Sequence, residues 1–193
     1  MFSPRAPITV RTVAIWWGQM YRFPLLAGLL LALALSGCGA PGHDIGQRVS
    51  LECVPFARAL SGIHLRGDAP DWWWRAGGRY ARGRMPQVGA VMVFAQTPGL
   101  PHGHLSVVSQ VRSRREILVT QANWVHHHVT TDQRVVDVSP YSDWSLVRVW
   151  WPPADAMGST AYPVLGFIYP GYSTSHDRIV RAVPGAVRVA LDE

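Results

Sequence analysis

Three residues of this 193-residue chain have the types and the order needed for nucleophilic catalysis: Cys53, His104 and Asn123. Cys53 opens the run Glu52-Cys53-Val54-Pro55-Phe56-Ala57-Arg58. His104 opens Gly103-His104-Leu105-Ser106-Val107-Val108, and Asn123 ends Gln121-Ala122-Asn123-Trp124. A thiol nucleophile needs a base to take its proton and return it to the leaving amine, and the base needs a polar neighbour to fix its tautomer and angle. Cysteine, histidine and asparagine in that order can fill those three roles.

The elements that must hold them can be read from pattern. Cys53 to Leu60 has apolar Phe56, Ala59 and Leu60 at helical spacing, Pro55 in the first turn and Gly62 to end it. Cys53 then stands at a helix N-terminus, where the partial positive charge favours thiolate and lowers the thiol pKa, and where the backbone N–H is placed for an oxyanion. Gly103–Val111 and Glu116–Trp124 read as strands around the turn Arg112-Ser113-Arg114-Arg115. A two-residue loop at Ser113-Arg114 sets Asn123 directly opposite His104, with Cβ atoms about 4.5–5.5 Å apart. Gln121 shares a face with Asn123 because side chains alternate with period two. It is the second candidate for orienting the imidazole.

With Pro86-Gln87-Val88-Gly89-Ala90-Val91-Met92-Val93-Phe94, these blocks resemble the CHAP family of cysteine, histidine-dependent amidohydrolases and peptidases, from roughly Cys53 to Trp151. The resemblance implies hydrolysis of amide bonds in peptidoglycan by a Cys53-His104-Asn123 triad, with Gln121 assisting or lining the cleft. It implies an α+β, papain-like fold in which the N-terminal helix carrying the cysteine packs on an antiparallel β-sheet. The alternative is a catalytically silent peptidoglycan-binding or structural module on the same fold.

Further segments fill out the domain. Pro70 to Ala76 reads as a short helix broken by Gly77-Gly78. It carries Trp72, Trp73 and Trp74, which point about 100° apart, so all three cannot be core and at least one is exposed. Trp72 and Trp73 are candidate substrate contacts, with aromatic packing as the other reading. His102, in a proline-marked loop, and Trp124 are candidates on the cleft edge. Val88–Phe94, Val129–Val138 and Trp144–Trp151 read as strands. Arg75, Arg79, Arg82 and Arg84 form either a solvated face or a contact for carboxylates of stem peptides. His126-His127-His128 alternates faces along a strand and lacks a nearby Cys or carboxylate at ligand spacing. The expectation is therefore no metal and no cofactor. A serine or zinc hydrolase is disfavoured by the absence of a G-x-S-x-G elbow and an H-E-x-x-H helix.

Composition sets the compartment. All 18 basic residues are arginine, three of them before Cys38, where none of the 12 acids lies; this leaves 15 bases against 12 acids beyond it. The high pI therefore belongs partly to a targeting segment, and nucleic acid is not an expected partner. Phe23 to Leu35 is an apolar run too short for an ordinary membrane span. It ends in Leu35-Ser36-Gly37-Cys38, which looks like a lipobox whose cysteine is lipidated. The expected organisation is a lipoprotein-type signal peptide over 1–37, a tether over 38–50, the catalytic domain over 51–170 and a C-terminal arm of unknown role over 171–193. The expected setting is a monomer on the outer membrane, facing the periplasm, through a lipid anchor on Cys38, with a soluble periplasmic or secreted form as the alternative. The chain has two cysteines. Lipidation of Cys38 leaves Cys53 an unpaired, reactive thiol, whereas a Cys38–Cys53 disulfide would not.

Overall fold

The computed structural model describes residues 46–193. Phe23–Leu35 and Cys38, on which the export and lipidation expectations rest, lie outside the described residues. In chain order the elements are β1 (Gln47–Arg48), α1 (Cys53–Ser61), α2 (Ala69–Arg75), β2 (Arg82–Gly83), β3 (Val91–Phe94), β4 (His104–Ser113), β5 (Glu116–Ala122), β6 (His128–Asp137), β7 (Leu146–Trp151), a 3-10 turn (Pro152–Ala154), β8 (Ala156–Met157), β9 (Tyr162–Ile168) and α3 (His176–Leu191). The α+β class is as expected. The sheet, however, closes on itself. β6, β5, β4, β3, β9 and β7 are successive antiparallel neighbours, and β7 returns to β6 through pairs such as Val135 with Val149. Closure leaves those six strands without a free edge.

Alternation along the strands separates two cores. Val91 and Val93 of β3, with Leu105 and Val107 of β4, pack with α1 and α2 through Phe56, Leu60 and Trp72. Met92, Phe94, Val108, Ile117 and Val119 fill the second core with Val135, Val149 and Phe167, inside the barrel. The period of two thus gives β4 a helix-facing set and a barrel-facing set, and His104 and Ser106 belong to the second.

α1 starts at Cys53 and stops at Gly62, whose φ of 67° lets its N–H reach Arg58 O at 3.0 Å. A left-handed residue of this kind favours glycine and ends the helix. The strand β9, which closes the barrel, carries Pro163 and Gly166, both of which blur a strand pattern. Gly166 is required there: at φ 143° a Cβ would meet the Trp73 ring at 2.6 Å and the Gly83 carbonyl oxygen at 2.7 Å.

The last 23 residues are not a free arm in the structure. α3 buries Ile179, Ala186, Val187 and Ala190 in the same core as Phe56, Ala57 and Leu60 of α1. Tyr172 Oη donates to Ser61 O at 2.9 Å, and Arg58 pairs with Glu193. The C-terminal segment therefore backs the helix that carries Cys53. At the other end, β1 lies in the expected tether and pairs with Val129 and His128 of β6.

Candidate active site

His104 is the first residue of β4, buried on the barrel-interior side and facing Phe94 of β3, its register partner. Its ring lies edge-on to Phe94 at 5.7 Å and to Trp124 at 5.1 Å between centroids. One polar contact stands out in this apolar setting: His104 Nε2 is 3.0 Å from Gln121 Oε1. The orientation of Gln121 is fixed from behind. Its Nε2 donates to Gln133 Oε1 at 2.6 Å, and Gln133 Nε2 donates to the Trp150 carbonyl at 2.5 Å. Ser106 Oγ donates to Gln121 Oε1, and Thr130 Oγ1 donates to Gln133 Oε1 at 2.6 Å. With the amide nitrogen of Gln121 committed to Gln133, only its oxygen can face the imidazole. His104 Nε2 must then carry the hydrogen, which leaves Nδ1 as the basic nitrogen.

Asn123, expected to orient His104, makes no hydrogen bond to it in the structure. The hairpin turns at Arg114-Arg115, with Ser113 paired to Glu116. Register shifts between Val108 and Gln110 and between Val111 and Ser113 then restore the expected alignment, pairing Val107 with Thr120. The pairing near the site is therefore as read, but β5 ends at Ala122. Asn123 lies beyond it with φ 62°, a left-handed conformation that asparagine tolerates. Its Oδ1 accepts the His127 N–H at 2.9 Å and its Nδ2 donates to Glu52 Oε2 at 3.0 Å. Both ends of the amide are used away from the imidazole.

Cys53 is the first residue of α1 and partly buried. Burial pushes its thiol up to about 11. The backbone N–H groups of Leu105, Cys53 and Val54 pull the other way, and the negative charge of Glu52 adds to the rise. The helix N-terminus thus acts as expected, but it is outweighed by burial, so the expected depressed thiol is corrected to a raised one. Burial also pushes His104 down to about 4, against the opposing effect of its Gln121 contact. Thiol and imidazole are both neutral over the intervening range. Among the described residues no hydrogen bond joins Sγ to the imidazole; the thiol is bonded to the Leu105 backbone next door. Catalytic contacts of this kind are often long in ligand-free structures and tighten on the substrate.

A cavity of about 580 Å³ opens beside His104, its wall including Asn123, Trp124, Trp151, Met157 and Tyr162. Trp124, named from sequence, lines it. The other named aromatic residues do not. Trp72 is fully buried in the helix-side core, with no surface for a substrate. Trp73 lies against Gly166, with the Arg82 guanidinium 4.9 Å from its ring. The exposed tryptophan of that trio is Trp74. His102 is exposed in its loop, 3.2 Å from Asp68, and is not part of the cavity wall. His126 and His127 stack on each other at 3.7 Å, and among the described residues no three of His, Cys, Asp or Glu converge. Sequence reasoning missed Gln133. Its signal was a glutamine two residues from Val135 on the same face of β6.

Residues 42–123 match the CHAP domain family. The match supports the resemblance to that family read from the sequence. Proteins of this family are generally cysteine- and histidine-dependent amidohydrolases acting on peptidoglycan. The match takes in Cys53, His104, Gln121 and Asn123 and stops there, so β6 to β9 and the cavity residues from Trp124 to Tyr162 lie beyond it. No curated protein matches the chain.

Proposed function

We propose that this CHAP domain is a cell-envelope cysteine amidohydrolase that cuts amide bonds of peptidoglycan, with Cys53 as nucleophile, His104 as base and Gln121 as the residue that orients the base. The observation that carries the reading is the His104–Gln121 contact, because it fixes the tautomer that leaves Nδ1 basic. The thiol rests protonated. As Sγ attacks the carbonyl carbon, Nδ1 takes the thiol proton, and the N–H groups at the start of α1 receive the charge developing on oxygen. The imidazolium then gives its proton to the departing amine, leaving a thioester. Water, deprotonated by the same nitrogen, hydrolyses that thioester and restores the thiol. Asn123 acts at one remove, tying Glu52 and so the start of α1 to the end of β5.

A second reading, a silent wall-binding module, is favoured by the raised thiol and its lack of a bond to His104. Digestion of purified sacculi with the full chain, followed by mass analysis, separates the two. Release of fragments by the wild type but not by Cys53→Ala supports the enzyme. Binding to sacculi without release supports the module.

The setting proposed is a monomer held on the outer membrane, facing the periplasm, by lipid on Cys38. Fractionation of wild type beside Cys38→Ser tests it. Wild type recovered without detergent in the soluble periplasmic fraction would overturn the anchor and leave the enzyme untouched.

A further inference from the structure

The wall of the cavity beside His104 has a composition that selects among the parts of a peptidoglycan substrate. None of its residues is Asp, Glu, Lys or Arg, and the two titratable ones are His104 and Tyr162. The surface is mainly apolar, from Leu100, Val149, Trp151 and Met157, and it includes the hydroxyls of Ser159 and Thr160. Among the described residues neither hydroxyl has a hydrogen bond within the protein. A stem peptide brings carboxylates and an ammonium group. Setting those against an apolar wall without a counter-charge costs several kcal/mol. An N-acetylated sugar brings no charge. Its pyranose C–H face is apolar and its rim is a ring of hydroxyl and acetamido groups, which suits an aromatic surface with a few free hydroxyls beside it. The volume, about 580 Å³, is large for one alanine side chain and falls within the range of cavities that hold ring-sized ligands.

The aromatic surface is built to stay in place. Trp124 packs edge-on to Tyr162 at 5.0 Å and tilts against Phe94 at 5.4 Å, so its position is fixed by the barrel. Trp151, also on the cavity wall, is 39% exposed at the end of β7. The backbone that follows holds the wall in shape. The 3-10 turn at Pro152–Ala154 leads into β8, which folds back on β7 through Trp150 with Met157 and Trp151 with Ala156. This hairpin lies outside the residues that match the CHAP family.

We propose that the cavity walled by Trp151, Met157, Ser159 and Thr160 is a glycan subsite that seats an N-acetylated sugar ring of the substrate beside His104. The proposal rests on the reading of the chain as a peptidoglycan amidohydrolase and adds the part of the polymer it must hold. The hairpin makes the enzyme prefer peptide still attached to glycan over peptide already released.

Two measurements test this. The first is binding of a peptide-free N-acetylglucosamine oligomer to full-length Cys53→Ala, followed by calorimetry or tryptophan fluorescence. Trp151→Ala in that background should weaken binding by tenfold or more, with unchanged melting, and Trp151→Phe should keep most of it. Absence of oligomer binding, or equal binding by Trp151→Ala, overturns the subsite. The second compares kcat/KM for a disaccharide-linked stem peptide with that for the same stem peptide capped by acetyl. The glycan-linked substrate should be favoured about tenfold in the wild type, and the preference should vanish in Trp151→Ala through KM. Equal cutting of both by the wild type overturns the subsite and leaves the hydrolase reading intact. Oligomer binding with no cutting of either substrate removes the hydrolase reading and keeps the glycan site.

Discussion

The two flanks of His104 are built on opposite principles. On the Gln121 side, the amide groups of Gln121 and Gln133 are partnered inside the barrel, in a chain that runs to the backbone of Trp150. On the Cys53 side, the nucleophile stands at the edge of a helix, raised by burial and by Glu52, with no bond to the imidazole. A buried polar network is stable only when fully satisfied, and it then holds one geometry. On the proposed mechanism, His104 is therefore set before any substrate arrives, whereas Cys53 stays a neutral thiol until the substrate brings the two together. A partly buried thiol that remains protonated is also protected from oxidation, because thiolate is the reactive form.

The largest effects should come from the reacting groups themselves. Cys53→Ala should reduce hydrolysis of sacculi by about 10⁴-fold or more, because no other thiol of the domain can form the thioester. His104→Ala should cost on the order of 10²–10⁴-fold. Cys53→Ala should melt near the wild type in scanning calorimetry, and His104→Ala, which leaves a cavity in the barrel, somewhat below it. Activity retained in Cys53→Ala would remove the mechanism outright.

Next in size is the comparison between Gln121, near the end of β5, and Asn123, just beyond it. Gln121→Leu should lower kcat by on the order of 10²-fold with little change in KM, because it releases the imidazole to the wrong tautomer or angle. Asn123→Ala should cost only a few-fold, since its amide serves Glu52 and His127 rather than the base. Gln133→Leu should resemble a weaker Gln121→Leu, and ¹⁵N shifts of the His104 ring should report mixed tautomers. If Asn123→Ala proves the more damaging, the orienting role returns to Asn123.

Much of this arrangement was legible in the sequence, and what was missed has identifiable causes. The start of α1, the order of the strands and the alignment of β4 with β5 near His104 were all readable from helical spacing, Gly62 and period-two alternation. The choice between Gln121 and Asn123 was not. It depends on β5 stopping at Ala122 and on Asn123 turning to φ 62°, which no pattern of residue types announces. A polar residue in a run of barrel-facing Ile117 and Val119 was the available hint for Gln121. The barrel closure was hidden because Pro163 and Gly166 weaken β9. The C-terminal helix was hidden because Pro184 and Gly185 interrupt it. The thiol was misjudged for a different reason: a helix N-terminus is visible in sequence, but the burial that outweighs it is tertiary.

Acid should expose the cost of keeping His104 neutral. Its folded pKa of about 4 lies below the ordinary 6.5. Between those values the unfolded chain takes up a proton that the folded chain refuses. Stability should therefore be intact above about pH 6.5 and fall as the pH drops toward 4. By about 1.36 kcal/mol per unit the full loss is roughly 3 kcal/mol. Melting temperatures measured across this range should show a steeper acid slope for wild type than for His104→Phe. Equal slopes would mean that the imidazole is not held neutral by burial.

The smallest effect separates the causes acting on the thiol. Burial and Glu52 raise it while three backbone N–H groups lower it. Removing the charge without changing the shape, in Glu52→Gln, takes away one raising cause and leaves the burial, so the thiol should move down but stay above its ordinary value. Alkylation by iodoacetamide follows the thiolate fraction. Wild type should therefore label slowly near neutral pH, more slowly than a free cysteine peptide, and Glu52→Gln should label a few-fold faster with its rate still rising above pH 9. Asn123→Ala frees Glu52 to move and should change the rate less than Glu52→Gln does. Rapid labelling of the wild type at pH 7 would reverse the contrast between the two flanks, since it would mean that the nucleophile, like the base, is prepared in advance.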